Sequence, residues 1–467
     1  MSATLFKLMF LALMGSGIPV AIAMAGASLV YISTTGIAPD FVVIHRMFAG
    51  LDSFPLLAVP FFILAGNLMN SAGITNRIYN FALGLVGWMR GGLGHVNVVG
   101  SVIFAGMSGT AVADAAGLGT IEIKAMKEHG YDVEFAVGVT AASATLGPII
   151  PPSLPFVIYG MMASVSIGQL FLAGILPGLV MTVLMMLTVS FFAWRNKWGG
   201  DIPFEWRRIA GVLIELGVLV AIPTLVFVAI GKGAPPRTTV IAALGLLLVL
   251  DRVVRFSAVL PLLTPVLMIG GMTTGLFTAT EGAIAACVWA LFLGLFWYKT
   301  LTLRMFVKAS QESVETTATV LFIVSAASVF GWVLAASRTT EMIAQWVLEF
   351  TNNPQLFLLL ANVLMLFVGC FLEPTAAITI LTPILMPIVL KLGIDPIHFG
   401  LVMVLNLMIG LLHPPMGLVL FVLARVANLS LERTTMAILP WLVPLLCSLA
   451  LVTYVPSISL WLPNLLK

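Results

Sequence analysis

Charge is what this chain has least of. Asp, Glu, Lys and Arg together make 9% of its 467 residues, against 60% for apolar side chains, and the mean hydropathy is +1.13. A soluble protein of this length cannot cover its surface with so few charges, so the chain is an all-α polytopic membrane protein. Its apolar runs are too long and continuous for the two-residue period of a membrane β-barrel. Cysteine is scarce as well. Cys287, Cys370 and Cys447 are odd in number, sit in apolar runs and lack ligand-like spacing, so no disulfide or metal site follows from them. The net charge of +3 is spread over loops and carries no signal for nucleic acid. Enzyme signatures are missing too: there is no H-E-x-x-H, no G-x-S-x-G and no G-x-x-x-x-G-K-[ST] loop. The run Gly92-Leu93-Gly94-His95-Val96-Asn97 begins like a dinucleotide fingerprint and fails at the third glycine. Neither an enzyme nor an organic cofactor is expected, and without an ATP-binding loop any transport must draw on an ion gradient or on other subunits.

Proline, by contrast, stands where membrane helices rarely carry it. Gly147-Pro148-Ile149-Ile150-Pro151-Pro152 and Gly410-Leu411-Leu412-His413-Pro414-Pro415 both read G-x-x-x-P-P, each inside a long apolar segment. A proline pair removes two backbone donors and clashes with the preceding turn, which breaks each helix mid-membrane. Such a break survives only when buried in protein or lining a polar cavity, and two matching breaks point to a transporter's substrate and ion site. The pattern alone is weak, since Gly231–Pro236 also fits it in a polar turn. Position within an apolar span is what gives it weight.

Apolar windows place spans near 5–31, 54–72, 135–164, 168–194, 209–231, 237–251, 258–276, 281–298, 314–337, 398–424 and 434–463. The N-terminal run continues past the length of a leader's apolar core and reads as the first span. Two further stretches, 93–120 and 356–390, are interrupted by Gly106-Met107-Ser108-Gly109-Thr110 and by Glu373-Pro374-Thr375. Their arms are short for a full crossing at about 1.5 Å per residue, so both read as re-entrant hairpins. That reading puts 16 of the 22 Lys and Arg residues on one side, which is then cytoplasmic. The first hairpin opens inward and the second outward. Gly147 and Gly410 lie 263 residues apart, an offset that also sets Thr110 opposite Glu373. An inverted repeat follows: residues 1–208 form the first (hairpin 93–120, broken helix 135–164), residues 209–276 supply three connecting spans, and residues 277–467 form the second (hairpin 356–390, broken helix 398–424). An odd number of connecting spans is what inversion requires. The amphipathic pieces Thr75–Met89 and Thr340–Glu349 look like interfacial arms that brace the hairpins.

Candidate site residues cluster at the tips and breaks. Ser108, Gly109 and Thr110 offer hydroxyls and free carbonyls suited to Na⁺ or substrate, the bland alternative being a small-residue packing seam. Asp114, one turn on, is an intramembrane carboxylate and a candidate Na⁺ ligand, or else a structural cap or ion-pair member. Glu373 has the same status, with Pro374 as a helix-start signal and Thr375 beside it. Gly147 and Gly410 supply break carbonyls to the ions. Pro151, Pro152, Pro414 and Pro415 shape the substrate side, and Ser153 contacts substrate or simply caps the second half-helix. His413 contacts substrate or a proton, or is a neutral histidine bonded to a carbonyl. Glu281 reads as a structural helix-start residue.

Taken together, "SGTAVADAAGLG" at 108–119, "GPIIPPS" at 147–153, "GLFTATEGA" at 275–283, "GLLHPPMG" at 410–417 and "LDSFPLLAVPFFILAGNLM" at 51–69 resemble the large membrane subunit of tripartite ATP-independent periplasmic (TRAP) transporters over nearly the whole chain. The resemblance implies an elevator-type carrier in the bacterial inner membrane that imports an organic acid, such as a C4-dicarboxylate or sialic acid, with Na⁺ as coupling ion. It also implies a periplasmic substrate-binding protein and a small four-helix membrane subunit as partners, besides membrane lipid. The chain departs from the family pattern at His413, where Thr is usual, at Ala279, where Pro is usual, and in a longer join containing 209–231 and 237–251. A stand-alone Na⁺/dicarboxylate or citrate-type symporter shares hairpins and broken helices and is the alternative reading. An intramembrane enzyme would need Asp114 and Glu373 within about 10 Å around one scissile bond.

Overall fold

The computed structural model describes residues 3–231, 235–254, 259–273, 277–413 and 417–466. Among these the regular structure is helical, apart from one isolated bridge between Arg90 and Gly200. Helix is the only open-chain solution in hydrocarbon, because each backbone group must find a partner within its own segment. Seven helices among the described residues are long and apolar enough to cross a membrane, with shorter apolar helices between them.

Two expected spans prove to be divided. The N-terminal run is split into Ala3–Gly15 and Val20–Thr35, with Gly17 at φ +85 and Pro19 preceding the second helix. The C-terminal run is split into Leu431–Tyr454 and Ser457–Leu465, where Pro456 interrupts the ladder. Between them the order is Val42–Leu51, Ala58–Ser71, the arm Ile74–Val86, and the first hairpin Gly92–Ser108, Ala111–Ala116 and Leu118–Glu128. The first broken helix follows as Val133–Ala144 and Leu154–Ala163, then Ile167–Arg195. Three helices, Trp206–Gly231, Pro236–Val254 and Val259–Thr273, join the halves. The second half runs Ala279–Phe292, Leu303–Ala336, the arm Thr339–Phe350, the hairpin Pro354–Gly369 and Pro374–Lys391, and the broken helix Pro396–Gly410 and Leu418–Ala427.

Helix ends repeat at the 263-residue offset. Shifted by it, 111 and 128 become 374 and 391, the two ends of Pro374–Lys391, and 133 becomes 396, the start of Pro396–Gly410. Packing repeats with the halves exchanged. Leu154–Ala163 lies on the second hairpin's return arm, while Leu418–Ala427 lies on the first hairpin's. Likewise Val133–Ala144 packs on Leu431–Tyr454, and Pro396–Gly410 on Ile167–Arg195. Reciprocal contacts of this kind are what a two-fold relation between the halves produces.

The core of this exchange is dense because small residues admit large ones, the usual basis of helix association in lipid. A Cβ on Gly400 would meet the Tyr159 ring at 2.2 Å, and one on Gly138 would meet Trp441 at 2.5 Å. Tyr159, Phe156, Phe399 and Trp441 are all buried. The Tyr159 hydroxyl donates to Pro396 O at 2.7 Å and so ties one broken helix to the other.

Candidate functional site: two hairpin tips over two helix breaks

The first hairpin turns where its sequence permits. Gly92–Ser108 ends because Gly109 takes the left-handed conformation, φ +63, which glycine adopts without steric cost. Thr110 is extended, and its hydroxyl accepts from Ala113 N at 3.3 Å, starting the return arm with a cap. A side chain at 109 would collide with the break opposite, since its Cβ would lie 2.6 Å from Pro152 O. From the other side, a Cβ on Gly147 would lie 3.1 Å from Thr110 O. The tip therefore rests backbone to backbone on the break.

That break spans residues 145–153, turns over 145–149 followed by a bend over 150–152, with a cis bond between Pro151 and Pro152. Ser153 closes it: its Oγ donates to Pro148 O at 2.5 Å and accepts from Phe156 N at 3.3 Å. The second half-helix, Leu154–Ala163, begins from this fully buried cap.

The second hairpin uses different residues for the same shape. Glu373 is extended and Pro374 occupies the first helical position, where a missing N–H costs nothing. Gly369, at the end of the entering arm, meets Gly410 at the end of Pro396–Gly410. A Cβ on Gly410 would lie 2.7 Å from Gly369 Cα. His413 Nδ1 is 3.2 Å from Ile409 O, so the imidazole has a backbone partner one turn back. Pro414 and Pro415 lie outside the described residues.

Both tips and both breaks border one cavity of about 80 Å³. Thr110, Ala111 and Val112 line it from the first return arm, and Glu373, Pro374 and Thr375 from the second. Leu154 and Pro155 begin the second half of one broken helix, and Leu418 that of the other. Four helix starts thus converge on one small space. The first N–H groups of a helix have no partner within it, and its dipole places about half a positive charge at that end. Glu373 is the sole charged residue among the described residues that line the cavity.

Of the other candidate residues, Gly109 also borders the cavity, and so does Pro148, which the sequence reading does not single out. Ser108 is buried with its Oγ unbonded among the described residues, and its backbone lies under Gly66. Asp114 is buried beside Ser101, away from the cavity lining, so it and Glu373 do not face one space. Glu281 does start a helix: its Oε2 accepts from Thr278 N at 2.7 Å, and Glu281 N donates to the Thr278 hydroxyl at 3.3 Å.

A buried polar network inside the first hairpin is not anticipated by the sequence reading. Asn97 Nδ2 donates to Glu122 Oε2 at 2.6 Å and to Thr140 Oγ1 at 2.7 Å, and Ser143 Oγ donates to Asn97 Oδ1 at 2.7 Å. Glu122 reads as a loop charge when the return arm is ended at residue 120. The helix continues to Glu128, and burial of Leu118, Glu122, Ile123 and Met126 along it marks the inward face. A second network, Asn406 to Asn362 at 2.9 Å and Asn362 to Thr453 at 3.0 Å, sits in the other half.

Comparisons with known proteins agree with this architecture. The family described as "Tripartite ATP-independent periplasmic transporter, DctM component" matches residues 8–458. The sialic acid TRAP transporter large permease protein SiaM of Vibrio cholerae is 42% identical over 98% of this chain and 97% of its own length. The C4-dicarboxylate TRAP transporter large permease protein DctM of Rhodobacter capsulatus is 33% identical over 100% of both. The sialic acid TRAP transporter permease protein SiaT of Haemophilus influenzae is 39% identical over 98% of this chain and 68% of its own. Among solved structures, the YdaH transporter of Alcanivorax borkumensis superposes with a TM-score of 0.59 over 88% of each chain at 13% identity, a likeness of fold alone. These relatives are transport permeases rather than enzymes, and a match from residue 8 to residue 458 leaves little of the chain outside it: the protein belongs to the DctM component family of tripartite ATP-independent periplasmic transporters.

Proposed function

We propose that this chain is the large permease of a Na⁺-driven importer of an organic acid in the bacterial inner membrane, with a sialic acid as the favoured substrate class. The convergence of four helix starts on one cavity carries the reading. Partial positive charge from several directions suits a carboxylate, and no whole cation is needed to hold it. Glu373 in the same lining gives a reason for coupling. A carboxylate substrate beside that side chain would be repelled unless a cation entered with it, and Na⁺ meets the requirement while tip and break carbonyls supply oxygens. Ser108, Gly109, Asp114 and Gly147 would serve one Na⁺, and Glu373, Thr375 and Gly410 another. Thr110, Thr375 and the proline breaks, with Ser153 and His413 behind them, would face the substrate. Two relatives named for sialic acid are 42% and 39% identical, those named for C4-dicarboxylate 33–36%.

The cavity has room for a carboxylate or two to three waters at about 30 Å³ each. Admission of a sugar acid therefore requires one tip to withdraw from its break. The hairpins and broken helices would move as one body against the remaining helices, as in an elevator. A periplasmic binding protein would deliver the substrate and a small membrane subunit would complete the frame. Longer relatives support the second partner, since the chain matches 64% of the isethionate permease named DctMQ and 68% of SiaT.

The test is uptake of labelled sialic acid and of succinate into proteoliposomes holding the assembled membrane subunits, with and without the binding protein. Uptake of sialic acid that needs both an inward Na⁺ gradient and the binding protein is expected. Full uptake on a proton gradient with Na⁺ absent would reject Na⁺ coupling, and uptake without the binding protein would favour a stand-alone symporter.

A further inference from the structure

The helices that join the halves leave a cavity far from the hairpin tips in sequence. It has a volume of about 400 Å³ and lies between the first arm, Ile74–Val86, and the start of Trp206–Gly231. Glycines on both walls make the space. A Cβ on Gly84 would meet Val212 at 3.1 Å and the Arg208 stem at 3.7 Å, so the helices touch there. A Cβ on Gly211 would meet nothing within 4 Å, so the cavity stays open beside it. Phe81 on the arm and Val212 pack in one buried apolar cluster with Leu262.

Two guanidiniums stand in the lining, Arg207 and Arg208, both exposed. The salt bridges among the described residues include neither. Glu215 also lines the cavity, two turns beyond Arg208, about 10 Å along the axis. It is buried, and its charge and that of Arg77 both act on Tyr298, whose ring the Arg77 guanidinium covers at 3.8 Å. Two positive charges against one negative leave the lining with a single positive charge. A phosphodiester carries one negative charge, and guanidiniums bind its oxygens through paired, charge-assisted hydrogen bonds.

Position decides between a soluble anion and a lipid. Residues 195–208 fall on the Lys- and Arg-rich side. Exposed Phe204 and Trp206 precede the two arginines, and exposed Trp88 meets Phe204 edge-on at 5.1 Å. Aromatic side chains in such a place mark the headgroup layer. Beyond the cavity, Trp206–Gly231 is barely covered: 17% of its apolar window is buried, and Leu213, Ile214, Val220 and Leu225 are exposed. The occupant needs a phosphate for the arginines and hydrocarbon for the helix beyond them. Basic pockets between membrane helices on the cytoplasmic side suit anionic lipid headgroups.

We infer that this cavity is a binding site for an anionic phospholipid. Its phosphodiester sits on Arg207 and Arg208, and its acyl chains follow the exposed face of Trp206–Gly231. The lipid thereby ties the first arm, which packs on Gly92–Ser108, to the join between the halves. The site does not depend on the Na⁺-driven reading above.

The test is native mass spectrometry of the assembled membrane complex, released from detergent and titrated with phosphatidylglycerol. One lipid should bind more tightly than the rest. Net-neutral phosphatidylethanolamine should bind more weakly there, and millimolar inorganic phosphate should not displace the lipid. Arg207→Gln combined with Arg208→Gln should weaken this first step by about thirtyfold, about fivefold for each cation. Gly211→Leu should weaken it comparably with no change of charge, because the new side chain fills the cavity. It decides the matter if the arginine pair fails to insert. Lys308→Gln, which removes an exposed lysine from another helix, should leave the step unchanged. An unaltered first step in either cavity variant would overturn the proposal, as would equal affinity for phosphatidylethanolamine. An equal loss in Lys308→Gln would reduce the binding to general surface charge, and displacement by phosphate would make the cavity a soluble-anion site; each result overturns it. So would loss of the small membrane subunit from a cavity variant that keeps its lipid, which would make the surface a subunit contact.

Discussion

Two residues decide whether the first tip and its break keep their shape. Gly109 is left-handed and its missing side chain leaves 2.6 Å between a would-be Cβ and Pro152 O. Gly109→Ala therefore incurs the left-handed penalty of about 1–2 kcal/mol and adds a backbone collision. The expected outcome is normal membrane insertion with uptake abolished, read by transport in proteoliposomes at matched protein levels. Ser153 is a cap whose hydroxyl also holds Pro148 O. Ser153→Ala should lower stability by about 1 kcal/mol, visible as a reduced midpoint in detergent thermal unfolding. An unchanged midpoint would mean that the break is held by its prolines alone. His413 shows how far one side chain can be read in advance: a carbonyl partner, here Ile409 O, is one of its two sequence readings, and His413 is not among the residues that line the cavity.

At the scale of elements, the first hairpin is held at its base as well as its tip. Asp201, in the loop after Ile167–Arg195, accepts from Leu93 N at 2.7 Å and from the Tyr131 hydroxyl at 2.6 Å. Gly91 N donates to Gly199 O at 2.8 Å alongside. Asp201→Ala removes two charge-assisted bonds, and amide exchange at the start of Gly92–Ser108 should quicken by at least about tenfold, given about 1.5 kcal/mol or more per such bond. Arg433→Ala is the contrast. Arg433 bonds Glu134 across the halves but both side chains are largely exposed, so the loss should stay below about 1 kcal/mol. The guanidinium holds the Glu134 carboxyl below its ordinary range, so whatever the pair contributes is present at neutral pH and fades on acidification.

Breaks were legible in the sequence because proline and glycine act locally. Tip 108–110, break 145–153 and the start at Pro374 all follow from residues within a turn of the event. Element ends were not legible where the cause is tertiary. Leu118–Glu128 continues through Glu122 and Lys124 because Glu122 finds Asn97 across the hairpin, a contact 25 residues distant. The divided N-terminal and C-terminal spans carried their own signals, Gly17-Ile18-Pro19 and Pro456, inside runs whose hydropathy alone reads as continuous.

Across the whole molecule the halves exchange partners, each hairpin's return arm carrying the opposite broken helix. Residues of both tips line the one cavity, so under the proposed function a change at either tip would reach ion, substrate and gate together. The central claim is that this cavity binds the substrate from both halves at once. Val112 from the first hairpin and Leu418 from the second broken helix line it and remain 39% and 44% exposed. Each is suited to a single cysteine in a chain whose Cys287, Cys370 and Cys447 are replaced. The decisive measurement is the rate of thiol labelling at Val112→Cys and Leu418→Cys in the assembled complex. With Na⁺ and substrate at ten times its dissociation constant, both should slow by about tenfold; labelling that is unaffected at both positions, or slowed at only one, contradicts the account.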